Sequence, residues 1–137
     1  MGFLTQCCGV KTMPYATIGL MSCEFDAVDR WGVPLVCSHE VWDGHILLEH
    51  DYMEGQQDAV TAAVSDPYHV YRPRGRRNRR LYYRPFVLRR SYMQHYLLVV
   101  ADYPTGRREF GRIVTAYHRQ TIKRGDVLVW SRSGATA

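Results

Sequence analysis

Tyr96-Leu97-Leu98-Val99-Val100-Ala101-Asp102-Tyr103, a break at Pro104-Thr105-Gly106, and then Glu109-Phe110-Gly111-Arg112-Ile113-Val114-Thr115-Ala116-Tyr117 form the stretch on which the fold class turns. Both runs are rich in β-branched and aromatic residues, and the connection between them is short enough for an antiparallel hairpin. Three runs of the same texture flank them, Tyr68 to Tyr71, Arg80 to Val87 and Asp126 to Trp130, parted by turn or charge clusters. The chain beyond Pro67 therefore reads as a sheet. Before it, Val33 to Cys37 follows the Arg30-Trp31-Gly32 turn and reads as a strand with Pro34 near its start. Ser38 is a good N-cap, and Val41, Trp42, His45, Ile46 and Glu49 recur at helical spacing, which predicts a first helix over 38–51. A second is expected over 56–64, where Val60, Ala63 and Val64 make an apolar stripe closed by Ser65-Asp66-Pro67. Helices first and a meander afterwards predict an α+β fold, with N-terminal helices packed on an antiparallel β-sheet of four or more strands.

The chain of 137 residues is 46% apolar, the size and composition of one domain with one well-covered core. Residues 1–25 read as an irregular N-terminal arm, 26–132 as the single domain and 133–137 as a disordered tail. The longest apolar runs are far shorter than the ~20 residues of a membrane-spanning helix, and the N-terminus lacks a basic region and a cleavage site. A cytoplasmic protein with no membrane partner is expected. Cys7, Cys8, Cys23 and Cys37 all lie in the first third, in a pattern that suits neither a disulfide framework nor paired zinc knuckles. They read as reduced thiols. A zinc site combining some of them with His39 lacks a two-residue chelate spacing, so no metal or cofactor is expected.

Net charge is +5 with an isoelectric point near 9.2, and the only lysines are Lys11 and Lys123. Arginine presents a planar fork that binds phosphate bidentately and stacks on bases, so this excess points to a polyanionic partner. Its densest block is Arg72-Pro73-Arg74-Gly75-Arg76-Arg77-Asn78-Arg79-Arg80, six arginines in nine residues between two expected strands. With one sign of charge and no acidic counterpart, it reads as an exposed phosphate-binding loop rather than a merely solvated one. Along 113–119 side chains alternate, which puts Ile113, Thr115, Tyr117 and Arg119 on one face and Val114, Ala116 and His118 on the other. A hydroxyl, a phenol and a guanidinium on one short ladder suit a scissile phosphate, and ordinary strand propensity explains the same residues. His45 and His50 stand five residues apart, about 140° net on an α-helix, so a shared metal site is not expected. A core histidine and an acid–base residue are both open readings of His45, and a helix cap is the alternative for His50. Tyr82 and Tyr83 point to opposite faces, so one is expected at the sheet surface beside Arg80 and Arg84, where it can stack on bases.

Taken in order, the chain carries Trp42-Asp43-Gly44-His45-Ile46 with His50, Asp66-Pro67, Leu81-Tyr82-Tyr83-Arg84, Leu97-Leu98-Val99-Val100, Ile113-Val114-Thr115-Ala116-Tyr117, and Lys123 to Trp130. This order and spacing resembles the phage and bacterial nuclease-like domains of the barnase, EndoU, colicin and RelE (BECR) group, over residues 26 to 130. The resemblance implies helices on an antiparallel sheet and RNA cleavage without metal. It also implies a site of His45, His50, Thr115 and Tyr117 with Arg80 or Arg84 on phosphate. The expectation is an endoribonuclease in which His45 is general base or acid and Tyr117 or His50 makes the opposite proton transfer. Thr115 would hold a non-bridging oxygen. Arg74, Arg76, Arg77, Arg79, Arg80, Arg84, Arg119 and Tyr82 are the expected RNA contacts. The partners would be RNA, tRNA among the candidates, and an acidic antitoxin or immunity protein if the chain is a toxin. The rival expectation is a non-catalytic RNA-binding or partner-regulating domain on the same fold.

Overall fold

The computed structural model describes residues 23–86, 95–104 and 109–132. The fold is α+β and is dominated by one sheet of seven strands. These are β1 (Cys23–Val28), β2 (Pro34–Ser38), β3 (His69–Arg72), β4 (Arg79–Phe86), β5 (His95–Asp102), β6 (Gly111–Arg119) and β7 (Val127–Ser131), in the order β1-β2-β6-β5-β4-β3-β7. All pairs are antiparallel except β2 with β6. No helix of the described residues is long and apolar enough to cross a membrane.

Two expectations are corrected. The helices are not N-terminal, because the β1–β2 hairpin precedes them, and β1 takes in Cys23 to Phe25, which the sequence reading put in the arm. Nor, among the described residues, do long helices cover the sheet. Helical residues form α1 (His39–Val41), a π turn (Trp42–Ile46), α2 (Leu47–Glu49), a 3-10 turn (Asp51–Met53) and the nine-residue α3 (Gln57–Ser65). Ser38 does cap the first of these, its hydroxyl accepting from the Val41 amide at 3.1 Å. The arm before Cys23, with Cys7 and Cys8, and the tail 133–137 lie outside the described residues.

β4 and β5 supply the centre of the sheet, with eight register pairs from Arg79↔Asp102 to Phe86↔His95. Both are buried on two faces, which is why they read as apolar runs instead of alternating ones. One face carries Val70, Tyr82, Leu97, Val99, Ala101, Ile113 and Ala116 against Trp42, Ile46, Val60, Ala63 and Val64 of the helical segments. The other carries Leu81, Tyr83, Leu98 and Val100, with Tyr71, Tyr96, Tyr117 and Ile122 packed around them. β2 meets β6 only through Leu35↔Gly111 and Val36↔Arg112. A Cβ at Gly111 would lie 2.5 Å from Leu35 Cδ2 and 2.9 Å from the Tyr103 ring, so this close approach requires glycine. At the sheet's two margins, the Arg30 guanidinium in the β1–β2 turn lies 3.8 Å over the ring of Trp130 in β7.

The last connection is not the expected meander. β6 ends at Arg119, beside the Tyr96 end of β5, whereas β7 begins at Val127 beside Arg72. Residues 120–126 therefore cross the second face. Ile122 packs on its apolar cluster, the Lys123 amide donates to Tyr83 Oη at 3.4 Å, and Gly125 makes the final bend at φ +92°.

Candidate functional site

Beyond Arg112, no strand among the described residues lies beside β6 on the β2 side, and the helical run 39–49 stands there instead. Trp42 and Ile46 anchor that run in the core, and between them the backbone widens into the π turn, in which the Leu47 amide donates to the Trp42 carbonyl. His45 rides on this turn. Its Nε2 is 3.1 Å from Thr115 Oγ1 and its Nδ1 is 3.5 Å from Glu49 Oε2, one helical step away. A carboxylate on Nδ1 favours the Nδ1–H tautomer, which leaves the Nε2 lone pair facing the threonine hydroxyl. The His45 side chain is 41% exposed, so the pair is open to a ligand from solvent.

His50 reaches the same strand. It leaves helical geometry at φ −137°, ψ 71°, and its ring stacks on Tyr117 with centroids 5.2 Å apart and planes 17° apart. Tyr52 packs against His50 and accepts the His118 amide on its hydroxyl at 2.8 Å, which pins the 3-10 turn to β6. The two histidines expected about 140° apart thus meet residues two apart on one strand, because the π turn and the break at His50 spoil the regular phase. Thr115, Tyr117 and Arg119 share a face as expected, paired with Val100, Leu98 and Tyr96. Ile113 does not. A bulge where the register passes from Val100↔Thr115 to Ala101↔Ile113 turns it into the helix-side core.

The arginine block is only partly free for an outside partner. Arg79 is held bidentately by Asp102, Nε to Oδ1 at 2.6 Å and Nη2 to Oδ2 at 2.9 Å, which also holds the Asp102 carboxyl below its usual range. That corrects the expectation of a run without an acidic counterpart: the β4–β5 register supplies one. Arg80 Nη1 donates to the carbonyls of Arg77 and Arg79. Arg84 is bound to Asp66 and lies, with Arg132, over the ring of Tyr68. Arg74, Arg76 and Arg77 remain exposed, Arg74 with its Nε on the Gly125 carbonyl at 2.7 Å. Arg119 donates from Nε to the Thr121 carbonyl. A depression lined by Arg72, Arg77, Asn78 and Arg80 is open to an anion. Tyr82 is corrected outright. It is fully buried, with its hydroxyl bonded to Tyr103 and to Asp29 Oδ2, and offers no surface to a base.

Cys37 does not provide a thiolate beside His39. Burial first, then the Glu24 and Asp43 carboxylates, push its thiol up to about 12. His39 Nδ1 instead lies 2.8 Å from Glu24 Oε1, and Gln57 donates to the other Glu24 oxygen at 2.9 Å, so the group His39, Glu24 and Asp43 is engaged within the protein.

Sequence reasoning missed two features of the site. Glu49 was legible in its i,i+4 spacing from His45. The His95–His118 pair, Nδ1 to Nε2 at 2.5 Å, was not, because the two lie on neighbouring strands 23 residues apart. Burial first, and then His95, hold the His118 imidazole below its ordinary 6.5. Between the folded and unfolded values the unfolded chain binds more protons. Stability from this group is thus complete above about pH 6.5 and drains away as pH falls. Thermal melts from pH 8 to pH 5 should show Tm dropping below about pH 6.5. His118→Gln should flatten that limb, and an unchanged slope in the variant would clear His118 of the effect.

A curled, mostly antiparallel sheet with short helical segments and a His–Thr, His–Tyr cluster on one strand defines the molecule structurally. No family model, curated protein or solved structure matches the chain.

Proposed function

We propose that the protein is a metal-independent endoribonuclease that cleaves RNA by attack of the 2′-hydroxyl on the adjacent phosphate. The bond from phosphorus to the 5′-oxygen breaks, leaving a 2′,3′-cyclic phosphate and a 5′-hydroxyl. The observation that carries this reading is the placement of His45 Nε2 at 3.1 Å from Thr115 Oγ1, two residues along the strand from the stacked His50–Tyr117 pair. In the reaction the Thr115 hydroxyl turns away from His45 Nε2, and the lone pair so freed takes the 2′-hydroxyl proton. His50 or Tyr117 returns a proton to the leaving 5′-oxygen, and the Thr115 hydroxyl donates to a non-bridging oxygen. Arg119, on the same face, offsets the charge that grows on the phosphate. A toxin role in a toxin–antitoxin or phage-related system, with a small acidic partner over the arginine loop, and cytoplasmic action on RNA belong to the same proposal.

The test is incubation of total tRNA and a structured RNA with the purified protein in EDTA, followed by end-group analysis. Cyclic phosphate ends support the reading; intact RNA removes it. Intact RNA bound with a steep salt slope would instead favour a binding domain without cleavage, which the exposed Arg76 and Arg77 also serve. On either reading, Arg76→Ala/Arg77→Ala should weaken RNA binding for every sequence alike. The slope of log K against log salt should fall by about 1 to 2. An unchanged slope would exclude these two side chains from the phosphate contacts.

A further inference from the structure

Residues 120–126, in crossing the second face of the sheet, line an open pocket of about 710 Å³ together with Tyr71 of β3 and Tyr96 of β5. That volume is in the range of small-ligand sites. Three features specify the ligand. Both tyrosines stand edge-to-face against Tyr83, with centroids 5.7 and 6.0 Å from it, and bring two aromatic rings to the cavity lining. Lys123 and Arg124 add two exposed cations from the crossing segment. Asp126, also in the lining, has a buried Oδ2 with no hydrogen-bond partner. The half-buried Asp126 side chain lines the pocket, and its carboxylate is an acceptor for an N–H donor bound there.

We propose that this cavity is a nucleotide pocket: the base stacks on the tyrosines, the phosphate meets Lys123 and Arg124, and an amino group on the base donates to Asp126. A carboxylate accepts and does not donate. Adenine, cytosine and guanine each offer an exocyclic amino group, whereas the lone N–H of uracil is flanked by two carbonyl oxygens that repel a carboxylate. The pocket adjoins the candidate site through one ring, since Tyr117 stacks on His50 and packs on the same cluster as Tyr96 and Ile122. Its role, to seat the base beside the cleaved bond, rests on the ribonuclease reading. Its binding does not.

Calorimetric titration of the full chain with adenosine, cytidine, guanosine and uridine 3′-monophosphates separates the two. The three amino-bearing nucleotides should bind at least about tenfold tighter than the uridine compound. Asp126→Asn, whose amide both donates and accepts, should erase that preference, and Tyr96→Leu should weaken all four by about tenfold, the loss of one stacking partner. Far-UV circular dichroism checks that both variants are folded. Equal binding of all four and of inorganic phosphate, indifferent to Asp126→Asn, overturns the pocket even if RNA is cut. Selective binding with intact RNA upholds the pocket and overturns the ribonuclease reading instead.

Discussion

His45→Ala should lower the rate of RNA cleavage by about a hundredfold or more while leaving the protein folded. The size follows from the role: a positioned general base contributes about 10² to 10⁴ in rate. The innocence of the fold follows from the surroundings. The side chain is 41% exposed, so truncation opens no core cavity, and it gives up one hydrogen bond to Thr115, worth about 1 kcal/mol. Trp42 and Ile46, fully buried on either side, keep the π turn in place. Initial rates on a short RNA substrate, with a urea melt beside them, decide the matter. A folded variant that cuts at the wild-type rate would take His45 out of the chemistry.

Asp29→Ala should have the largest effect on stability, a loss of about 3–5 kcal/mol. Asp29 is buried and its carboxylate is used on both oxygens. Oδ1 accepts the amides of Trp31 at 2.8 Å and Val33 at 2.9 Å, which shapes the β1–β2 turn. Oδ2 accepts Tyr103 Oη at 2.6 Å and Tyr82 Oη at 3.4 Å, which ties that turn to β4 and the end of β5. Burial, with Tyr82 and Asp29 alongside, drives the Tyr103 phenol upward, so it stays a donor throughout the ordinary pH range. Alanine would strand two backbone donors and one phenolic hydrogen at once, the Tyr82 and Tyr103 hydroxyls keeping only their bond to each other, against a total stability for such domains of about 5–15 kcal/mol. Tyr103→Phe removes one donor and should cost only about 1–2 kcal/mol. Urea denaturation of both variants tests the ranking, and a loss below about 1 kcal/mol for Asp29→Ala would refute the shared-anchor role.

What could be read beforehand was whatever depends on near neighbours. The five strands after Pro67 were visible in their β-branched and aromatic content, Ser38 in its capping chemistry, and the helix over 57–65 in its small apolar stripe. β1 was not, because Glu24 and Asp26 interrupt its apolar residues and only pairing with β2 makes it a strand. Strand order was not either. Nothing local in Asp126 to Trp130 says that it pairs with β3 across the sheet, or that 120–126 must cross a face to let it. Among the candidate site residues, the resemblance grouped His45, His50, Thr115 and Tyr117, and the fold puts them in two touching pairs although His45 and Thr115 are 70 residues apart. The error at Tyr82 has a simple cause. Alternation says which residues share a face, and in a central strand buried on both faces it does not say which face meets water.

The stacking of Arg30 on Trp130 joins residues 100 positions apart in the chain. During synthesis the first of these leaves the ribosome long before the second exists, so the β1–β2 turn must wait for this aromatic partner until β7 arrives. Closing so distant a contact is slow and entropically costly. A chain lacking β7 would leave the outer edge of β3 unpaired, an open margin for other strands to occupy.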